Sequence, residues 1–286
     1  MMRIGLLLAT NFAVLMVAGV IMSLLGLDQG STMGMLFFCA VFGFGGSFVS
    51  LLMSKSMAKR GSGTQIIETP ANETEQWLHD RIAAHAKASN IGMPEVGIFA
   101  SPQPNAFATG WNKNKSLVAV SAGLLNNFPR EEVDAVLAHE IGHVANGDMI
   151  TLTLIQGITN TFVLFFARMA AMVIAGAARN RAMGTIGYHL TTWVFQAIFG
   201  ILASMIVMWF SRRREFRADE AGARLTSPHA MASALERLKH PVSPHPALPE
   251  RMAAFGISSN FKSKLGGLLA THPSLDDRIA ALRARQ

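Results

Sequence analysis

Four stretches of this chain carry no charged side chain and are each long enough to cross a membrane: residues 4–27, 33–53, 149–167 and 190–210. A hydrocarbon core about 30 Å thick takes about 20 apolar residues in a helix, which satisfies its own backbone polar groups in the absence of water. Charged residues make up only 15% of the chain, against roughly 25% in soluble proteins. Membrane spans account for that shortfall. The first stretch follows Arg3 as a secretory signal would, but it exceeds the about 7–15 residues of a signal's apolar core and reads as a span. In the second, Gly43, Gly45 and Gly46 suit close helix packing. The third is the most polar, with Gln156, Asn160 and four threonines, and Arg168 interrupts an apolar pattern that resumes to Ala178. A tilted span over about residues 149–175 is expected, with Arg168 buried against a partner; the alternative is a helix packed on the membrane face without crossing.

The formal charge of +7 invites a nucleic-acid reading, and the position of the charges argues against it. Arg3 precedes the first span, Lys55, Lys59 and Arg60 follow the second, and Arg212, Arg213, Arg214 and Arg217 follow the fourth. Such juxtamembrane charge meets anionic headgroups of the lipid bilayer. No aromatic platform is interleaved with it, so no nucleic-acid partner is expected. The lysine and arginine bias puts both termini and the segment after residue 54 in the cytoplasm, with only Arg179 and Arg181 opposing. The single cysteine, Cys39, excludes a disulfide scaffold and a Cys-only zinc cluster.

The expected organisation is two transmembrane helices in 1–53, a first part of a cytoplasmic domain in 54–148, two further hydrophobic helices in 149–210, and the rest of the domain in 211–286. Residues 73–89 carry Trp77, Ile82 and Ala86 at helical spacing. Residues 95–99 read as a strand, and 105–110 and 116–121 as two more around the turn 112–115. A helix starts near Pro129, with Glu131 and Glu132 placed to meet its dipole. In the second part, helices are expected from about Ser211, over 229–238 and over 275–285, with a proline-rich loop at 240–249.

The chemistry lies in His139-Glu140-Ile141-Gly142-His143. Residues four apart share a helix face, so both imidazoles can reach one metal ion, and Glu140 stands beside them to take a proton from a metal-bound water. Such a string arises by chance on the order of 0.01 times in a chain of this composition. Zinc needs a third protein ligand and an open fourth position. The candidates are Glu215, Asp219, Glu220 and histidines 229, 240, 245 and 272. Glu215 and Asp219 also share a helix face, so one can ligate while the other orients a ligand imidazole. Alternatively, both acids neutralise the neighbouring arginines.

These motifs resemble the HtpX-type membrane zinc metalloproteases, a family related to the CAAX-prenyl endopeptidases. The resemblance runs through Pro94-Glu95-Val96-Gly97-Ile98, Asn105-Ala106-Phe107-Ala108-Thr109-Gly110, the His139–His143 motif with Asn146-Gly147-Asp148, the 211–219 segment, and His272-Pro273 with Arg278. It implies an α-helical multi-pass membrane protein with a cytoplasmic α+β zincin-like metalloprotease domain, in the bacterial inner membrane. It implies one zinc per chain on His139, His143 and Glu215, Glu140 as general base and Asp219 supporting a ligand histidine. His272 would stabilise the oxyanion and Arg278 would hold nearby carboxylates. The strand at 105–110 would border the substrate cleft. The implied substrates are misfolded membrane proteins, in a quality-control and stress role, with self-cleavage in the 240–249 loop. The spacing of His143 and Glu215 from the apolar stretches puts the zinc within about 10 Å of the membrane surface if both connections are helical. Two other readings are a membrane adaptor with a structural zinc and a prenyl-protein endopeptidase.

Overall fold

The computed structural model describes residues 31–177, 185–239 and 272–284. The first predicted span, the proline-rich loop at 240–249 and the candidate ligands His240 and His245 lie outside the described residues. The chain divides into two compact units, one from Met1–Ser50 and Thr153–Val207, the other from Leu51–Leu152 and Met208–Gln286.

Among the described residues three helices are long and apolar enough to cross a membrane: Thr32–Ser62, Asp148–Ala175 and Gly187–Leu225, with mean hydropathies of 2.1, 1.7 and 2.0. They belong to α1 (Thr32–Ser62), α5 (Asp148–Ala177) and α6 (Thr185–Leu225). In the first unit α1 and α5 meet backbone to backbone. A methyl group on Gly43 would come within 2.3 Å of Thr161 Oγ1 and 2.9 Å of the Gly157 carbonyl, so only glycine allows this crossing. Gly46, expected to serve the same purpose, faces open space. Arg168 is half-buried and has found its partners without an acid. Its guanidinium donates to the Leu164 carbonyl at 3.3 Å and to Cys39 Sγ at 3.4 Å, over the Phe38 ring.

The second unit is built on a four-stranded mixed sheet of order β1-β2-β4-β3, comprising β1 (Gln65–Ile66), β2 (Glu95–Phe99), β3 (Ala106–Thr109) and β4 (Leu117–Ser121). β2 runs parallel to β4, and β3 returns antiparallel to it, pairing Ala106 with Val120 and Thr109 with Leu117. Both faces are covered, and so β4 reads as an unbroken apolar run. Val118 and Val120 pack on one side with Leu78 and Ile82 of α2 (Glu73–Ala88) and with Val133, Val136, Leu137 and Ile141 of α4 (Arg130–Ala145). Leu117 and Ala119 pack on the other with Phe99, Phe107 and Ala58. The short helix α3 (Ala122–Asn127) leads into α4. The opposite flank of α4 meets α7 (Pro228–Leu238) and α8 (Leu275–Arg283) through Ala135, Met231, Leu235, Ile279 and Leu282. α4 is therefore a central helix with a sheet on one side and helices on the other.

The helix expected near Pro129 is present, with Pro129 as its cap residue and Arg130 its first helical residue. One expectation needs correction. No new helix begins at Ser211, because α6 continues unbroken from its apolar part through the arginine cluster to Leu225. The residues around 210 include no proline or glycine to stop it, and a change from apolar to charged side chains does not interrupt backbone hydrogen bonding.

Candidate active site

His139, Glu140 and His143 are buried on α4, and Glu215 and Asp219 are buried on α6. The two helices approach so closely because small residues face each other. A methyl group on Gly142 would lie 2.8 Å from Ala221 Cβ and 3.4 Å from Ala218 Cα, and one on Gly222 would lie 3.4 Å from the His139 nitrogen. This crossing carries Glu215 to the histidines. Glu215 Oε2 is 3.7 Å from His139 Nε2, and Oε1 is 3.4 Å from His143 Nε2. The ligand atoms of His139, His143 and Glu215 all lie within 4.8 Å of one another.

Each imidazole is oriented by a carboxylate behind it. His139 Nδ1 lies 3.0 Å from Asp219 Oδ1, and His143 Nδ1 lies 2.7 Å from Asp148 Oδ2. A proton held at each Nδ1 turns both Nε2 lone pairs inward, where the two nitrogens stand 3.2 Å apart. Two lone pairs facing each other beside a buried carboxylate repel one another unless a cation sits among them. Neither oxygen of Glu215 accepts a hydrogen bond of normal geometry. Two nitrogens and one carboxylate oxygen suit zinc and leave its fourth position open. Without a metal the same charges recruit protons. Burial pushes the His143 imidazole down, but the charge and close contact of Glu215, the hydrogen bond to Asp148 and the Glu140 charge outweigh it and raise its pKa to about 9.

Glu140 is not one of the ligand group and accepts a hydrogen bond from the backbone of Ala108 on β3. Burial pushes its carboxyl up. The neighbouring histidines and the Ala108 amide oppose that shift, and Glu215 adds to it. Arg278, from α8, is completely buried. It grips Asp219 with two hydrogen bonds of 2.8 and 2.6 Å and lies 3.3 Å from Glu215 Oε2. His272 Nδ1 is 2.9 Å from the same Glu215 oxygen, and its Nε2 has no hydrogen-bond partner among the described residues.

His139, Glu140, His143, Glu215, Asp219, His272 and Arg278 are thus gathered around one point. Of the other candidate ligands, Glu220 and His229 are not in the group that could hold a metal. Asp148, quoted within the motif but given no role from the sequence, is the side chain that orients His143. It falls five residues after His143, beyond Gly147 with φ of 67°, so no single helix face connects the two. A carboxylate closely following a histidine pair was the available signal.

Two histidines and a remote carboxylate, with a glutamate beside them that is free of the ligand group, define a metallohydrolase of the His-Glu-x-x-His class. The comparisons make this particular. Residues 72–286 match the model for peptidase family M48. The chain is 56% identical to Protease HtpX of Ectopseudomonas mendocina (strain ymp), over 99% of each protein. It is 53% identical to Protease HtpX of Aeromonas hydrophila, over 99% of this chain and all of that protein. The crystal structure of S. mikatae Ste24p shares the fold, with a TM-score of 0.68 at 17% identity, covering 98% of this chain and 64% of that one. The chain belongs to peptidase family M48. It is a zinc-dependent metalloprotease with helices suited to an integral membrane protein.

Proposed function

We propose that the chain is an endopeptidase of the bacterial inner membrane that hydrolyses misfolded or damaged membrane proteins, with Glu140 as its general base. The observation that carries this reading is the convergence of His139, His143 and Glu215 next to a Glu140 that is not itself a ligand. Zinc, when held by these three residues, polarises the scissile carbonyl and acidifies water. Glu140 takes the proton of the attacking water and returns it to the departing amine. Its raised affinity for a proton suits both halves of that transfer. His272 directs Nε2 toward the developing oxyanion. Arg278 neutralises Asp219 and Glu215 and so keeps Asp219 set against His139.

The chain crosses the membrane four times with both termini and the active site in the cytoplasm, and residues 54–148 and 211–286 together make the protease domain. The distribution of lysine and arginine supports this orientation. An extended substrate segment adds to the outer edge of β3, which recognises backbone and tolerates many side chains. The 240–249 loop is the expected place of self-cleavage.

The test is cleavage of an unfolded membrane-protein substrate by detergent-purified protein, wild type beside Glu140→Ala, with zinc measured on both. One zinc per chain in each, with cleavage confined to the wild type, is the expected result. Cleavage by Glu140→Ala at more than trace rate would remove the general-base role. Zinc in both with cleavage in neither would favour a structural zinc site in a membrane adaptor.

A further inference from the structure

Alternate residues of an antiparallel strand turn their backbone groups toward and away from their partner. The Ser121 N–H donates to the Asn105 carbonyl at 2.8 Å. That sets Asn105, Phe107 and Thr109 toward β4 and leaves Ala106, Ala108 and Gly110 facing the open edge of the sheet. The hydrogen bond from Ala108 to Glu140 agrees with this alternation. It also fixes a register, because the reacting carbonyl of a substrate must lie next to Glu140 and hence opposite Ala108.

Two residues further along, at Gly110, a largely apolar cavity of about 320 Å³ opens beside the ligand histidine His143. The 110–113 loop, Val144, Met149 and Ile150 line it. Trp111 and Ile150 are large apolar side chains about half exposed at its rim. Apart from His143, the residues lining this cavity take no part in holding the metal or moving the proton. We propose that it is a specificity subsite, taking one large apolar side chain (Leu, Met or Phe) from the third residue before the scissile bond. This rests on the peptidase reading of the same site.

The position follows from strand direction. A segment added antiparallel to β3 runs opposite to it, so the residue facing Gly110 precedes the residue facing Ala108. The chemistry follows from the lining. The cavity lies at the small end of the range for ligand pockets, about 300–1,000 Å³, which suits one side chain. Its largely apolar walls reward burial of hydrocarbon, with Lys113 the one lysine at its lining.

The experiment uses the full-length, zinc-loaded protein in detergent micelles with a mixture of peptides of varied sequence, cut positions being read by mass spectrometry. Leu, Met and Phe should be enriched at the third position on the N-terminal side of the cut. Two peptides differing only by Leu or Ala at that position then give a ratio of kcat/KM. That ratio should be about tenfold in the wild type and should fall to about two or less in both Trp111→Ala and Ile150→Ala, with zinc content confirming that each variant is folded. Cleavage without apolar enrichment, enrichment on the C-terminal side, or an unchanged ratio in both variants would overturn the subsite and leave the peptidase standing. Absence of cleavage by zinc-loaded wild type would overturn both.

Discussion

Replacing Gly142 by alanine adds one methyl group to the helix that carries both histidines. Helix propensity alone favours the change by about 1 kcal/mol. Packing opposes it, because the new carbon would lie 2.8 Å from Ala221 Cβ, about 0.7–1.2 Å closer than the usual carbon–carbon separation. Ala221 has no torsion through which to retreat, so α4 and α6 must separate by a similar distance. Overpacking of this kind costs about 1–3 kcal/mol, which the fold can survive. The metal site is less tolerant, since ligand distances must hold to within about 0.2 Å and Glu215 rides on the displaced helix. Gly142→Ala should therefore fold, keep its helical circular dichroism, and bind zinc at least about tenfold more weakly. Competition against a chelator of known affinity measures this, with Gly46→Ala, which meets open space, as the control. Wild-type zinc affinity in Gly142→Ala would refute the argument that this crossing sets the ligand geometry.

Three more outcomes follow from the surroundings of the site. Asp148→Ala leaves His143 without its 2.7 Å partner and should weaken zinc binding about 10–100-fold, again read by chelator competition. Arg278→Met strands the buried carboxylates of Asp219 and Glu215 and should cost about 3–5 kcal/mol of stability in denaturant unfolding; Arg278→Lys should recover little, because an ammonium cannot reproduce the two-pronged grip. Burial pushes the Asp134 carboxyl up, but hydrogen bonds and charges from His85 and Arg81 outweigh it and hold it below its ordinary value. The stability it contributes is complete above its unfolded pKa of about 3.9 and disappears as pH falls through its lower folded value. With chelator present throughout, Asp134→Asn should flatten the acid limb of the unfolding curve below about pH 4; superimposable limbs would count against that contribution.

Local periodicity explains what the sequence made legible. His139 and His143 declare a shared helix face by their spacing, as do Glu215 and Asp219, and the strands announce themselves through apolar runs bounded by turn residues. Asp148 could be quoted in the motif, but its contact with His143 was hidden because it returns across a turn, where periodicity carries no information. The two-residue β1 and the six-residue α3 were too short to rise above their surroundings. The continuity of α6 was missed because four arginines after Phe210 read as a boundary, although charge marks where water begins and does not stop a helix. Arg278 could be named, but its complete burial against two carboxylates is a tertiary fact that no local pattern contains.

The ligand group draws on two segments of the chain, His139 and His143 before the intervening apolar helices and Glu215 after them. Translation at about 5–20 residues per second therefore delivers the histidines several seconds before the carboxylate that completes their metal site. During that interval the growing chain holds the two imidazoles without the third member of their ligand group. A competent centre therefore becomes available only after both apolar helices have been synthesised.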